Sequence, residues 1–356
     1  MIALSELITM FEAELRSRYA GQLLPGHKHA LAAMKACRTP AAPRMLTQCL
    51  ACEAKAHLPH SCGHRSCPHC QHHESQRWLE RQRRKLLPVD YFMVTFTLPA
   101  QLRALAWRQQ RLIYDLLFKI SWETLSCFGL KDKKLQGRLG ATAVLHTHSR
   151  RLDYHPHVHL VVPAGALDNM RKCWRKKNGG YLFNQANLAK VYRARWLRAL
   201  KEHGLKVNAT LPADWVVDCT HVGRGDKALT YLGKYLYRGV LSERNILCVV
   251  AGDVTFRYTD NTGVSQTRTL PGADFLWLLL QHVLPRGFRR ARDYGFLHAN
   301  SKALIQLIQL LFQVVMPRTK ESPRAVIYCK HCGGPMVILA TRLKPPCAQH
   351  PSFNSA

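Results

Sequence analysis

The spacing of apolar residues changes along the chain and predicts both helices and strands. The first segment has apolar side chains at the three- and four-residue intervals of one helix face, namely Leu4, Leu7, Ile8, Phe11 and Leu15. Residues 91–98 instead form a short run rich in β-branched and aromatic side chains, which ends at Pro99. Because both kinds of segment recur, the sequence predicts an α+β fold with an antiparallel or mixed sheet.

The remaining periodic segments extend this prediction over most of the chain. Residues 1–36 are predicted to be helical with a break at Pro25-Gly26, and further helices are predicted at 74–87, 102–128, 188–203, 226–240, 273–282 and 301–316. Strands are predicted at 91–98, 141–148, 156–162, 215–219, 245–250, 254–258 and 267–270. Shifts in composition then suggest four parts, which are a helical segment at 1–36, a domain rich in cysteine, histidine and basic residues at 37–87, a large α+β domain at 88–320 and a tail at 321–356.

The charge of the chain indicates an anionic partner. Among 356 residues, 52 are Lys or Arg and 22 are Asp or Glu, which gives a formal net charge of +30. Nucleic acid is the first candidate for such a partner and a membrane surface is the second. The sequence has no apolar run of the length that a transmembrane helix needs. Acidic residues at Glu6, Glu12 and Glu14 also argue against a signal peptide, so we expect a protein that is not exported.

Cysteine spacing predicts a zinc site in the N-terminal part. The chain has 13 cysteines, many of them in C-x-x-C pairs with histidines nearby, which argues for metal binding rather than disulfides. We predict one structural zinc with four ligands, Cys49, Cys52, Cys67 and Cys70. Further candidate ligands in the same segment are Cys37, Cys62, His64 and His69. Four protein ligands would leave no open position on the metal for catalysis.

The C-terminal tail repeats the spacing of the first cysteine set. Its candidate ligands are Cys329, Cys332, Cys347 and His350, at intervals that match those of the four N-terminal cysteines. The first pair resembles one half of a zinc ribbon. Two interpretations stay open. These residues form a second zinc site, or the first pair is a single knuckle on a frayed tail.

A histidine-rich strand is the third candidate metal site. In an extended run, His157 and His159 share one face, whereas Val158, Leu160 and Val162 point to the other face and into the core. A third imidazole could come from the preceding strand, where His146 is preferred slightly over His148. The register between the two strands decides whether that imidazole shares the face, because a slip of one residue reverses it.

The predicted helix at 226–240 has a polar face with possible nucleophiles. On a helical wheel, Tyr231 and Tyr235 lie on one face with Lys234 and Arg238, opposite a leucine face. We interpret the tyrosines as a pair of nucleophiles, with Lys234 or Arg238 favouring the phenolate or binding phosphate. Tyr237 belongs to neither face. The alternative is an ordinary amphipathic helix, but a metal that polarises a phosphodiester beside such tyrosines is a complete set for cutting DNA.

Three basic clusters fit a protein that handles DNA. They lie at 77–85, 171–177 and 286–292, and each mixes cations with nearby aromatic residues, as grooves for single strands do. The candidate DNA contacts in the first two clusters are Arg77, Arg81, Arg84, Lys85, Arg175 and Lys176. A solvated helix face is the alternative for each cluster taken alone, but the net charge favours phosphate binding, which salt should weaken.

Taken together, these motifs resemble the HUH endonuclease superfamily and, within it, the rolling-circle transposases of the insertion sequence 91 family. The resemblance covers roughly residues 37–335 and rests on the order of the motifs: the knuckle ending Cys67-Pro68-His69-Cys70, His155-Pro156-His157-Val158-His159, and Tyr231-Leu232-Gly233-Lys234-Tyr235. His282-Val283-Leu284-Pro285-Arg286-Gly287-Phe288 also matches. The chain departs from relatives at Gly63-His64-Arg65-Ser66, where an Asn-Arg-His is common.

The resemblance implies a fold, a reaction and cofactors. The fold would be an HUH-type central antiparallel sheet flanked by helices, in a catalytic domain at 88–320. His157 and His159 would hold Mg²⁺ or Mn²⁺, and Tyr231 and Tyr235 would be the nucleophiles. The reaction would nick single-stranded DNA at element ends, form a 5′-phosphotyrosine and rejoin the strand to a target. We therefore expect a bacterial, cytoplasmic, DNA-associated transposase with no small-molecule substrate and no membrane partner.

Three other functions were weighed against this one. A plasmid replication initiator or relaxase would use the same HUH chemistry. A non-enzymatic, zinc-dependent DNA-binding protein would explain the charge and the cysteines but would leave the histidine strand and the tyrosine face without a role. A transposase of the paired-carboxylate type needs a cluster of three acidic residues, which is not evident among only 22 acids.

Overall fold

The fold was analysed in a computed structural model that describes residues 2–177, 179–237, 240–260, 262–314 and 326–343; the side chains of residues 234, 235 and 237 also lie outside this description. In the described residues, the α-helices are α1 (Leu4–Arg18), α2 (Pro25–Ala36), α3 (His72–Arg83), α4 (Arg103–Arg108), α5 (Gln110–Lys131), α6 (Gln185–Glu202), α7 (Asp226–Tyr237), α8 (Gly272–Leu280) and α9 (Lys302–Leu311).

Strands are distributed along the whole described chain. They are β1 (Arg44–Cys49), β2 (Lys55–Pro59), β3 (Tyr91–Thr97), β4 (Gly140–His148), β5 (Tyr154–Pro163), β6 (Gly165–Asp168), β7 (Cys173–Lys176), β8 (Val217–His221), β9 (Ile246–Val250), β10 (Asp253–Thr259), β11 (Ser265–Pro271), β12 (Ala291–Gly295), β13 (Ile327–Tyr328) and β14 (Pro335–Leu343). No helix among these residues is long and apolar enough to cross a membrane.

A five-stranded antiparallel sheet organises the molecule. Its strand order is β12-β4-β5-β3-β8, so the histidine-rich strand β5 lies in the centre. One face is apolar, with Phe96, Leu145 and Val158 fully buried in the main core beneath α5 and α6. The opposite face carries the histidines, and α7 packs against β4 on that side. The alternation that the sequence predicts for residues 157–162 is thus confirmed.

Besides the two-stranded sheet β6-β7, two smaller sheets of the described residues lie outside the central one. The sheet β11-β10-β9 shares a second core with α1, α2 and α8, in which Phe11, Phe256 and Phe275 are buried. The other sheet has the order β13-β14-β1-β2, and in it β1 pairs antiparallel with β14. Residues 44–49 and 335–343, which the sequence analysis placed in separate domains, therefore share one sheet.

The predicted α+β class with antiparallel sheets and flanking helices is confirmed, and several element limits differ. The five apolar residues of the first helix are all buried on one side of α1. The single helix predicted at 102–128 is wrong, because Gln109 has φ −127° and ψ 50° and separates α4 from α5. The strands β1, β2, β6, β7, β12, β13 and β14 were not predicted. Most of their sequences are polar or short, so local pattern alone does not identify them. The exception is β14, whose apolar residues 337–339 lie in the segment that was interpreted as a tail.

A tight backbone contact at the end of β12 offers a test of the packing. Gly295 has φ +63°, and a Cβ there would lie 1.7 Å from the carbonyl oxygen of Leu139, beside the start of β4. We expect Gly295→Ala to destabilise the fold twice over, by left-handed backbone strain of about 1–2 kcal/mol and by a clash with rigid backbone. Denaturant unfolding would measure the loss.

A matched control separates the two causes. Gly204 has nearly the same φ, +61°, but a Cβ there would meet no atom within 4 Å. Gly204→Ala should therefore show the backbone strain alone and a clearly smaller loss. Equal losses in the two variants would contradict the packing of β12 on β4.

Candidate functional site

Three imidazoles converge on the open face of the central sheet. In the pairing of β4 with β5, His146 lies directly opposite His157, and Val144 lies opposite His159. Nitrogen atoms of His146, His157 and His159 all lie within 4.8 Å of one another. The register that was left open in the sequence analysis is therefore the one that brings His146 onto the metal face. His148 lies beyond a register shift, opposite Tyr154, and is not in the ligand group.

Hydrogen bonds orient two of these rings. The Nδ1 of His157 donates to the carbonyl oxygen of His155 at 2.7 Å, and the Nδ1 of His159 lies 2.8 Å from the hydroxyl of Thr95. Each ring thus has its Nδ1 engaged, which favours Nε2 as the metal-binding atom. Thr95 stands opposite His159 on β3. Thr95 was not among the predicted site residues, because only the strand pairing brings it to His159.

The electrostatics of the cluster favour neutral imidazoles. Burial lowers the pKa of His159 to about 4 and holds the pKa of His146 and of His157 well below the ordinary value. The neighbouring imidazoles lower the pKa of His146 further. Neutral rings present lone pairs to a cation, so two buried imidazoles and one half-buried imidazole form a donor set that fits a divalent metal ion.

A tyrosine from α7 stands beside the imidazoles. The ring centroid of Tyr231 lies 6.1 Å from that of His146 and 6.2 Å from that of His159, and the side chain is 39% exposed. On the opposite face of α7, Leu229, Leu232 and Leu236 are buried, as the helical wheel predicts, whereas Val240, the fourth residue of that predicted face, is half-buried. Lys234 and Tyr235 are on the same helix, but their side chains, like that of Tyr237, lie outside the described residues, as does Arg238.

The basic helix α3 holds the tyrosine helix in place. The hydroxyl of Ser75 donates to the carbonyl oxygen of Gly233 at 3.0 Å, and a Cβ at Gly233 would lie 3.3 Å from the indole of Trp78. At the start of α7, Asp226 accepts from Arg83 at 2.8 Å. The polar segment that follows the cysteines thereby sets the position of Tyr231 above the sheet.

The candidate DNA contacts are divided between exposed and engaged cations. Arg77, Arg81, Arg84 and Lys176 are exposed. Lys85 forms an ion pair with Asp293 at 2.6 Å, and Arg175 forms one with Asp168 at 2.7 Å. Arg77 also lies 3.6 Å from Glu74, in a pair that is exposed on both sides. Lys85 and Arg175 therefore have structural partners in addition to any phosphate that they contact.

The cysteines form two clusters, each with four thiols. In the first cluster, Cys37 at the end of α2 joins Cys62, Cys67 and Cys70 of the loop before α3, with sulfur–sulfur distances of 3.6 Å. Thiolates bound at about 2.3 Å around a tetrahedral zinc lie about 3.8 Å apart, so the cluster has the size of a zinc site. The distances are too long for disulfides.

The second cluster joins two distant parts of the chain. Cys49 ends β1 and Cys52 lies in the turn that follows, whereas Cys329 and Cys332 lie in the β13–β14 turn. Their sulfurs are 3.4 Å apart for Cys49 and Cys332 and 3.7 Å apart for Cys52 and Cys329. Backbone N–H groups of Cys52 and Ala51 lower the pKa of Cys49 to about 6, which favours the thiolate that zinc binds.

The predicted grouping of the zinc ligands is wrong. Cys49 and Cys52 do not share a site with Cys67 and Cys70, because each pair belongs to a different cluster. The spare candidates Cys37 and Cys62 complete the first cluster, whereas His69 pairs with Glu243 at 2.8 Å and neither it nor His64 belongs to a described ligand group. The other predicted partners of Cys329 and Cys332, which are Cys347 and His350, lie outside the described residues.

Comparisons with known proteins agree with this arrangement. The family described as "Transposase zinc-binding domain", of the insertion sequence 91 type, matches residues 7–98, which include the first cluster. The family described as "Putative transposase" matches residues 140–303, which include all three histidines and Tyr231. The matched domain and the thiol clusters together support structural zinc in this protein. No solved structure matches the chain.

Two curated relatives extend the match over most of the chain. A protein of Sinorhizobium fredii named "Putative transposase y4qJ" is 31% identical over 85% of this chain and 83% of its own length. The transposase for insertion sequence element IS801 of Pseudomonas savastanoi pv. phaseolicola is 29% identical over 69% of this chain and 63% of its own. Since the first relative is similar over nearly the full length and both family models fit the residues of the site, the chain belongs to the insertion sequence 91 family of transposases.

Proposed function

We propose that the protein nicks single-stranded DNA and rejoins it through a 5′-phosphotyrosine intermediate, in rolling-circle transposition. The observation that carries this proposal is the ring of Tyr231, about 6 Å from two of the three clustered imidazoles. A non-enzymatic zinc protein would need neither a buried histidine cluster nor a half-exposed phenol beside it. A replication initiator or relaxase would share this chemistry, but the family match favours a transposase.

His146, His157 and His159 would hold the catalytic cation. Mg²⁺ or Mn²⁺ would polarise the scissile phosphate and offset the charge that develops on its oxygens. Imidazole donors suit Mn²⁺ better than Mg²⁺, so oxygen ligands from the phosphate would have to complete the coordination of Mg²⁺. The hydrogen bonds from His157 to the His155 carbonyl and between His159 and Thr95 fix the ring orientations in advance.

Tyr231 is the nucleophile that the geometry favours. Its phenol oxygen loses its proton and forms an ester bond to phosphorus, the bond from phosphorus to the 3′ oxygen of the preceding nucleotide breaks, and that oxygen takes up a proton as a free 3′-OH. The position of the ring above the sheet leaves it accessible to a DNA strand, since it is 39% exposed. Tyr235, one helical turn further, would receive the second strand end, and Lys234 and Arg238 would stabilise phenolate or phosphate.

Both thiol clusters would hold zinc in a structural role. With Cys37, Cys62, Cys67 and Cys70 around one ion and Cys49, Cys52, Cys329 and Cys332 around another, no ligand position stays open for substrate. The first ion would fix the loop that leads into α3, and the second would join the β1–β2 and β13–β14 turns. The proposed DNA binding by residues 37–87 and by the basic residues would depend on this stabilisation of the fold by zinc.

Substitution of the tyrosines tests the nucleophile assignment. Tyr231→Phe and Tyr235→Phe should each impair transposition, and the double variant should form no covalent adduct with labelled single-stranded DNA in Mg²⁺ or Mn²⁺, because both phenol oxygens are lost. Tyr237→Phe is the matched control on the same helix and should keep the adduct. Loss of the adduct in Tyr237→Phe alone would contradict the assignment. A denaturing gel with mapping of the attachment residue provides the measurement.

Substitution of a histidine tests the cation site. His157→Ala should lower the rate of nicking at least about 100-fold, because the phosphate loses its electrostatic stabilisation, while single-stranded DNA binding changes little. Mn²⁺ binding, followed by calorimetry on the zinc-loaded protein, should be lost in parallel. His155→Ala, two residues earlier on β5, is the control and should keep Mn²⁺ binding. A His157→Ala variant that retains full Mn²⁺ binding would disprove the site.

Metal analysis tests the two thiol clusters and their grouping. The purified protein should hold two zinc ions, and Cys67→Ser and Cys49→Ser should each lose a different one, so that the double variant loses both. Cys127→Ser, a described cysteine outside both clusters, should lose none. If Cys49→Ser and Cys67→Ser remove the same single ion, the grouping seen in the structure is incorrect. Chelation should unfold the region around both clusters in circular dichroism.

A further inference from the structure

A cavity of about 350 Å³ lies beside the candidate active site and has no role in the proposal above. It is bounded by residues of α1 and α2, by the loop before α3 and α3 itself, by α7 and the residues after it, and by the segment from the end of α8 to the start of β12. Its apolar walls include Trp78, Leu236, Leu241, Leu279, Val283 and Leu284. This volume falls in the range of pockets that hold small organic groups.

The polar part of the cavity is cationic. Arg65, Arg289 and Arg290 line it, and no acidic residue is among its described lining residues. Both terminal nitrogens of Arg65 donate to the carbonyl oxygen of Phe288 at 3.0 Å, which fixes that guanidinium beside the cavity. Arg289 is exposed and has no ion pair within the described part of the chain. An apolar pocket with arginines around it fits a ligand that has a flat apolar part and an anionic part.

The cavity is connected to the candidate active site by direct side-chain contacts. His282 lines the cavity, and its ring centroid lies 5.3 Å from that of His148, whose ring stacks at 6.4 Å on that of His146. On the other side, Trp78 packs against Gly233, two residues after Tyr231. Arg290 donates to the carbonyl oxygen of Leu145, next to His146, at 3.0 Å. The cavity therefore adjoins β4 and α7, the two elements that carry His146 and Tyr231.

We infer that the cavity binds one unstacked nucleotide of the single-stranded DNA substrate, close to the phosphate that Tyr231 attacks. The base would enter between Trp78 and the leucine walls, and its phosphate would lie against Arg289. This inference rests on the proposed function, because it assigns a subsite to the same substrate. A nucleotide is the ligand that fits, since a base supplies the flat apolar part and its phosphate the negative charge.

Binding of oligonucleotides with a single abasic site tests the inference. Zinc-loaded protein, without added Mg²⁺ or Mn²⁺, is titrated into labelled single-stranded DNA from an element end, and anisotropy gives the Kd. Base stacking contributes about 1–3 kcal/mol, so removal of the base that enters the cavity should raise Kd about 5- to 150-fold. Abasic sites at the other positions should have smaller effects. A uniform effect along the strand, or no binding of single strands, would overturn the inference.

A bulky side chain in the cavity tests whether the nucleotide at the most sensitive abasic position is the one that the cavity binds. Leu241→Trp should weaken binding of the intact strand and remove the extra penalty of the sensitive abasic site, because the base is already excluded. Leu247→Trp, on the exposed side of β9, is the matched control and should keep both the affinity and the penalty. If Leu241→Trp keeps the full extra increase in Kd at the sensitive abasic position, the base binds outside the cavity.

A substitution on the surface keeps the test independent of folding. Arg289→Ala should raise Kd more than Arg257→Ala does, since both remove one exposed arginine but only Arg289 lines the cavity. Equal effects would mean that Arg289 acts only through net charge, and would count against the inference.

Failure of the proposed function can be distinguished from failure of this inference. If one abasic position raises Kd more than the others but no covalent adduct forms, nicking is rejected and the subsite is kept. Adduct formation without a positional penalty would reject the subsite alone.

Discussion

The pairing register between β4 and β5 is the constraint on which the candidate active site depends. It places His146 opposite His157 and brings His159 beside them on one face of the sheet. Because side chains alternate across a strand, a slip of one residue would turn His146 into the apolar core and remove it from the cluster. Leu145 and Val158, which are fully buried on the other face, oppose that slip, since it would expose them and bury imidazoles in their place. The core therefore enforces the geometry of the polar site.

Around this sheet, the position of the tyrosine helix depends on a part of the chain far away in sequence. Helix α3 packs against α7 through Trp78 and Ser75, and Arg83 reaches Asp226 at the start of α7. Helix α3 is itself preceded by the loop of the first thiol cluster. Zinc at that cluster would thus stabilise the catalytic arrangement indirectly, through the entry of α3. The same junction contains the cavity between α7, Arg65 and Arg289, so the proposed nucleotide subsite and the candidate active site would share one structural support.

The second thiol cluster has a different consequence, because it joins two segments that are far apart in sequence. The sulfurs of Cys52 and Cys329 are 277 positions apart in sequence and 3.7 Å apart in space. Their strands β1 and β14 also pair along most of their length. Neither turn has an apolar core of its own, so a bound ion and the shared strands would together stabilise this sheet. The segment at 326–343 is accordingly part of the N-terminal sheet.

The sequence by itself determined the local chemistry of this protein. The 3.6-residue period identified α1 and the buried face of α7, and the alternation in residues 157–162 separated the histidine face from the core face of β5. These features are local, because a helix or strand fixes which neighbours in sequence share a face. The motifs that mark the family were also visible without a structure.

Only the tertiary structure decided which of those groups meet. It selected His146 over His148, added Thr95 behind His159, and divided the four N-terminal cysteines that appeared to form one site between two clusters. Each of these results depends on strand register or on contact between distant segments. Spacing along the chain cannot specify such contacts, because identical C-x-x-C turns can pair with any partner that the fold brings within reach.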